Sequence, residues 1–220
     1  MSQDTADTKR ILRVNAFFDA QNLFNSAKRC FGYKFPNYDP VRLAKEINTL
    51  RAADTNENRE INRINFYTGY PPKDKNEGIY GFWQNKLNEL RRQGVRVKAR
   101  KLVYREELFE FDNVTILIKD FPIEKGIDLC LGIEIVLQFI NNDYDVALIF
   151  SQDLDLTEAV DAVHALSKEN GRWAGLECAY PYSEEYRGTR GIDRTVWLKI
   201  PKDLYDRCID PKDYRPSRGR

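Results

Sequence analysis

Apolar positions along the chain recur with two periods, one near two residues and one near three to four, and the switches between them outline an α/β protein. Residues 11–18 form an apolar run that stops at Asp19 and reads as a buried first strand. From Pro40 to Leu50 the apolar positions follow helical spacing, with Asp39 placed as the N-cap and Pro40 at the first helical position. Residues 61–68 alternate as a second strand, which Gly69, Tyr70, Pro71 and Pro72 end. Ile79, Phe82, Trp83, Leu87 and Leu90 predict a helix over 78–93, whose aromatic face belongs to the core, and Gly94 closes it.

Strict alternation resumes after Gly94. Val95, Val97 and Ala99 lie on one face of the next strand, and Arg96, Lys98 and Arg100 on the other. Asp112 and Asn113 resemble a turn and residues 114–119 a returning strand, so 95–119 reads as a hairpin-like extension. A largely apolar helix follows over 126–142, then the clearest buried strand at 144–150 and a helix at 156–167 ended by Gly171. Strands at 173–180 and 195–200 complete the pattern, joined by a polar loop, 181–193, placed to cover a site at that edge.

This alternation predicts a single α/β domain over 11–208, built on an open, mainly parallel sheet. The polar residues 1–10 read as a disordered N-terminus, and the Pro-containing 209–220 as a disordered basic tail. In a chain of 220 residues, 42% hydrophobic residues are enough for a substantial core. No segment approaches the roughly 18 apolar residues of a membrane span. The first ten residues lack the basic start and apolar centre of an export signal. Cys30, Cys130, Cys178 and Cys208 show no CxxC spacing and read as reduced thiols, so a cytoplasmic protein without a membrane partner is expected.

Overall charge is nearly balanced, with 35 Lys+Arg against 34 Asp+Glu, but its distribution is not. Between Lys86 and Arg105 there are eight cations and one anion, a stretch able to track a phosphate backbone or to form a solvated face. Elsewhere, Asp19, Asp128, Asp153 and Asp155 sit near the ends of apolar runs, where an open α/β sheet presents its carboxyl edge. Magnesium and manganese prefer such hard oxygen ligands, and phosphodiester hydrolysis needs a cation to offset charge on the attacked phosphate. Asp also caps helices and opens turns, so the carboxylates alone favour a metal site only weakly. The single histidine, His164, lies within a helical pattern and suits packing better than base catalysis; no GxSxG, Walker A or GxGxxG motif is present.

Three ordered motifs sharpen the reading. Phe18, Asp19, Ala20, Gln21, Asn22 and Leu23, then Lys125, Gly126, Ile127 and Asp128, then Ser151, Gln152, Asp153, Leu154 and Asp155 resemble the motifs of the NYN domain. That family is the LabA-like branch of the PIN-like, FLAP-nuclease-like metal-dependent nucleases. The resemblance covers roughly residues 11–200. It implies a Rossmann-like (PIN-like) three-layer domain and an endoribonuclease that hydrolyses RNA through metal-activated water, with Mg²⁺ or Mn²⁺ as cofactor. Asp19, Asp128, Asp153 and Asp155 match the family's acidic positions, and Glu134 falls where many members carry a further acid. On an ideal helix Glu134 and Asp128 would not share a face.

Asn22 is then expected to bind a substrate phosphate, orient Asp19 or cap a helix; Ser151 to bind phosphate or hold the acidic turn; and Lys125 to contact phosphate or steady the acids. Arg96, Lys98 and Arg100 would carry the substrate backbone. Ala20, Gln21 and Gln152 replace small residues of the usual pattern, which implies a differently shaped pocket. A non-cleaving RNA-binding or regulatory module with a retained metal pocket, and a DNA-directed, toxin-like or defence nuclease, stay open beside the RNA reading. So does assembly as a homodimer or within a larger complex.

Overall fold

The structure, a computed structural model, describes residues 10–35, 37–111, 114–186 and 190–216. Of the start read as disordered over 1–10, residues 1–9 lie outside them, as do the turn at Asp112 and Asn113 and the last four residues, while Arg10 pairs with Asp145. In chain order the elements are β1 (Leu12–Asp19), α1 (Ala20–Phe31), α2 (Pro40–Thr55), β2 (Arg59–Tyr70), α3 (Glu77–Arg92), β3 (Arg96–Lys101), β4 (Val103–Phe111) and β5 (Val114–Ile123). They continue with α4 (Ile127–Ile140), β6 (Val146–Phe150), a 3₁₀ turn (Leu154–Leu156), α5 (Thr157–Glu169), β7 (Gly175–Pro181), β8 (Val196–Ile200) and α6 (Lys202–Arg207).

Six strands form one sheet in the order β3-β2-β1-β6-β7-β8, with every neighbouring pair parallel. With β4 and β5 set aside, this is the 3-2-1-4-5-6 order of doubly wound sheets, whose switch point falls between the two central strands, β1 and β6. Parallel strands covered on both faces carry continuous apolar runs, and all five residues of β6 are buried. Alternate residues serve opposite layers: Phe18 packs with Leu43, Leu87 and Leu204 beneath α2, α3 and α6, while Phe17 packs with Leu131, Ile135 and Val160 beneath α4 and α5. The result is an α/β domain on a parallel sheet, as the alternation predicts, with the three layers that the resemblance implies.

Two expectations need correction. The first concerns 95–119, because β3 is not part of a hairpin but an edge strand of the main sheet, paired in parallel with β2 from Asn65–Arg96 to Tyr70–Lys101. The hairpin begins only at Val103 and consists of β4 and β5, paired from Val103–Ile123 to Phe111–Val114. Alternation identifies a half-buried strand but not its neighbour. The second concerns the tail, which is docked as far as the structure describes it. Ile209 bridges Tyr38, the Asn85 side chain donates to the Tyr214 carbonyl at 2.9 Å, and the Tyr214 ring meets Phe82 edge-on. Under this strap the Lys86 ammonium is buried, donating to the Tyr38 carbonyl and to Asn37, and burial pushes its pKa down to about 8.

The two strands at the switch point are locked together by their last aromatic residues. Phe18 and Phe150, both fully buried, stack with centroids 4.0 Å apart and planes 6° from parallel, immediately before Asp19 and Ser151. Truncating such a ring leaves a cavity, so Phe18→Ala is expected to lower unfolding free energy by about 3–5 kcal/mol in urea titrations. A loss below about 1 kcal/mol would show that the stack does not hold the strands together.

Candidate metal centre

Asp19 ends β1 and caps α1. Its extended backbone (φ −79°, ψ 97°) turns the side chain back so that Oδ1 accepts from the Asn22 N–H at 3.0 Å. Its Oδ2 accepts from Ser151 Oγ at 3.0 Å, across the switch point. Ser151, itself buried, accepts from the Asp153 N–H at 3.1 Å, and Asp153 Oδ1 takes the Asp155 N–H at 3.0 Å. A second tie runs beside the first, because Asn22 Oδ1 accepts from the Gln152 N–H at 2.9 Å. The ends of β1 and β6 are thus laced together through side chains of the first and third motifs. Both polar motif residues are turned inward, holding the acidic turns.

Asp128 comes from a different direction. The chain returns along β5, turns at Gly126 in the left-handed conformation (φ 71°), and places Asp128 in the first turn of α4. Gly126 suits that backbone and also the crowding above it, since a Cβ there would lie 2.8 Å from Arg100 Nη1. One carboxylate oxygen from each of Asp19, Asp128 and Asp153 lies within 4.8 Å of the others. Asp19 is buried, Asp153 half-buried and Asp128 exposed, so the group opens to solvent on the α4 side.

The electrostatics follow from this crowding. Burial pushes Asp19 up to about 6, with the Asp128 and Asp153 charges adding and the Asn22 and Ser151 hydrogen bonds opposing. Asp128 is raised by burial, then by Asp153 and Asp155, which puts Asp155 within the field of the group although outside its tight core. An all-oxygen donor set with mutual repulsion fits a hard divalent cation. So does one further atom: Glu124 Oε1 is buried without a well-formed hydrogen-bond partner. Glu124 was missed in the sequence, although it follows directly on the end of β5 and precedes Lys125. Its carboxyl is pushed up to about 7, first by burial and then by Asp19 and Asp128, against a backbone hydrogen bond from Gly69.

Other sequence candidates lie elsewhere. Glu134 is not in the close group: its Oε1 accepts from Lys98 Nζ at 2.5 Å, its Oε2 from Gln138, and the Lys98 bond holds its pKa low. The helical rotation between Asp128 and Glu134 accounts for the separation. Arg100 points to the start of α4, near the Lys125 carbonyl at 3.4 Å and Cys130 Sγ at 3.0 Å. The expectation of one basic track over Lys86–Arg105 is corrected accordingly. Val97 and Ala99 pack into the α3 layer, which turns Arg96, Lys98 and Arg100 toward α4, while Arg91 and Arg92 stay on α3 and Lys86 is buried. The loop after β7 reaches the acidic turn through Gln152 Nε2, which donates to the Arg190 carbonyl at 2.8 Å.

A doubly wound parallel sheet with acids converging at its switch point is the arrangement of a PIN-like domain. The family model of the NYN domain matches residues 13–171, most of the chain, and the chain belongs to that family of PIN-like nucleases. A crystal structure of a protein of unknown function from Vibrio parahaemolyticus is similar at 16% identity, covering 90% of this chain and 97% of that one with a TM-score of 0.45. No curated protein matches the chain.

The raised Asp19 makes a signed prediction. Its carboxyl titrates near 3.8 when unfolded and about 6 when folded, so the native state holds the proton more tightly. The proton-linked stability is full below the lower value and is lost as pH rises toward the upper one, a change on the order of 3 kcal/mol. In EDTA, Asp19→Asn is expected to melt higher than the parent protein above about pH 6, with the advantage fading toward pH 4. Thermal melts from pH 4 to 8 read this directly, and a difference independent of pH would contradict it.

Proposed function

We propose that this protein is a divalent-metal-dependent endoribonuclease, using Mg²⁺ or Mn²⁺ to hydrolyse RNA phosphodiester bonds. The convergence of Asp19, Asp128 and Asp153 within 4.8 Å, in a chain of a nuclease family, carries the reading. These three would hold the cation, with Asp155 beside them shaping the field at Asp128. A bound ion would supply Lewis-acid stabilisation and an oriented nucleophile. Asn22 and Ser151 keep Asp19 and the 151–153 turn in register, so their role is positioning. Lys125, exposed just before α4, and Arg100, whose guanidinium lies at the start of α4, would contact phosphate, while Lys98 and Arg96, further back along β3, would carry the rest of the backbone.

RNA is favoured over DNA on the ground of the family. The four cysteines are free, which supports a reducing compartment such as the cytoplasm, and no helix among the described residues is long and apolar enough to cross a membrane. Labelled single-stranded RNA, duplex RNA and single-stranded DNA incubated with Mn²⁺, Mg²⁺ or EDTA, beside Asp153→Asn, test the proposal. The expected result is metal-dependent RNA cleavage that falls about 100-fold or more in the variant. RNA bound equally by both proteins and cut by neither would favour a non-cleaving module, and cleavage confined to DNA would move the substrate class.

A further inference from the structure

We propose that Glu124 is a positioning residue of the acidic centre, taking hydrogen bonds from water retained by a cation held among Asp19, Asp128 and Asp153. The inference rests on the metal reading above and extends it to a residue outside the three motifs.

Three observations carry it. Glu124 Oε1 is buried without a well-formed hydrogen-bond partner, although the Gly69 N–H lies against the carboxylate and favours its charged form. A buried acceptor left without a well-formed bond is costly, and an ion or an ordered water is the usual resolution. Next, the backbone makes room for this carboxylate: Gly69, near the end of β2, lies so close that a Cβ on it would sit 2.9 Å from Glu124 Oε1 and 2.6 Å from Leu102 Cδ2. A larger residue there would push the Glu124 carboxylate and the Leu102 side chain aside. Finally, the charges that Glu124 feels most are those of Asp19 and Asp128, so its neighbours in the field are acids.

The close group is Asp19, Asp128 and Asp153, without Glu124. That spacing argues for contact through water over direct ligation. Magnesium and similar ions keep several waters of hydration, and the outer groups that orient them typically change metal affinity by about 10- to 100-fold. Glu124 feels the charges of Asp19 and Asp128, whereas Asp153 and Asp155 belong to the 151–155 turn. A cation in the group would then have acidic partners on two sides, one set direct and one through water.

The test uses the full chain with Mn²⁺ as the probe, read by calorimetry and by melting temperature in EDTA. Glu124→Gln is expected to weaken Mn²⁺ binding by roughly 10- to 100-fold and to raise the metal-free melting temperature, because a buried acid in the field of Asp19 and Asp128 becomes neutral. A merely structural glutamate would give the opposite pattern, a lower melting temperature with unchanged affinity, and that result overturns the proposal. Asp153→Asn separates the two readings. If it loses Mn²⁺ binding while Glu124→Gln does not, only the role of Glu124 fails; if the parent protein binds no Mn²⁺, the metal reading fails and this inference with it. Should the glutamine variant not fold, Glu124→Asp keeps the charge but withdraws the carboxylate by one methylene, and its affinity for Mn²⁺ must fall as well.

Discussion

Mutual repulsion of carboxylates at one edge of the sheet is the constraint around which this molecule is arranged. Two unit charges about 4 Å apart cost about 4 kcal/mol at an effective dielectric near 20, and here three acids lie within 4.8 Å with Glu124 and Asp155 in their field. A flexible chain would relieve that cost by moving the acids apart. The fold prevents it from three directions. Ser151 and Asn22 lace β6 to β1, the Phe18–Phe150 stack fixes the same strands from beneath, and the Gly126 turn delivers Asp128 from the far end of the hairpin. Rigidity below the site is therefore a condition of the charge above it.

The same constraint explains where the polar motif residues point. Asn22 and Ser151 look from sequence like groups that might meet a substrate, yet their oxygens are taken by Gln152 N–H, Asp19 and Asp153 N–H. The Ser151 hydroxyl favours an ionised Asp19, and the two bonds from backbone N–H groups hold the 151–153 turn in place. Asp19 illustrates the balance, because burial and neighbouring charge raise its pKa while the Asn22 and Ser151 bonds lower it. The outcome is a carboxyl that ionises near neutral pH, poised for a cation.

Much of the fold was legible because its signals are local. The apolar run before Asp19, the Asp39–Pro40 helix start and the run at 144–150 each announce an element without reference to a partner. What stayed hidden depends on distant contacts. β3 reads as half a hairpin until β2 is seen beside it, and the tail looks too polar to fold until Tyr214 is found against Phe82 and the buried Lys86. Helices α1 and α6 carry weak signals, since α1 (Ala20–Phe31) mixes polar residues into its buried face and α6 is only six residues long. At the site, motif spacing marked the three close acids and the helical offset of Glu134 from Asp128, whereas the Lys98 partner that Glu134 takes depends on the pairing of β3 with β2.

Glu124 and the β3 cations together suggest how a polyanion meets this pocket under the proposed function. A strand of phosphates gains little from an edge whose nearest charges are acids, and Lys98 and Arg100 already have partners on or beside α4. Neutralising the acids reverses the local field, after which the same cations lie on the rim of a site that attracts phosphate. Under that proposal Lys98 would be a reserve of positive charge, since its exposed ion pair with Glu134 is worth little in water and would exchange readily for a phosphate contact. Attraction of the substrate and assembly of the reactive centre would in this way depend on one event, the arrival of a cation among Asp19, Asp128 and Asp153.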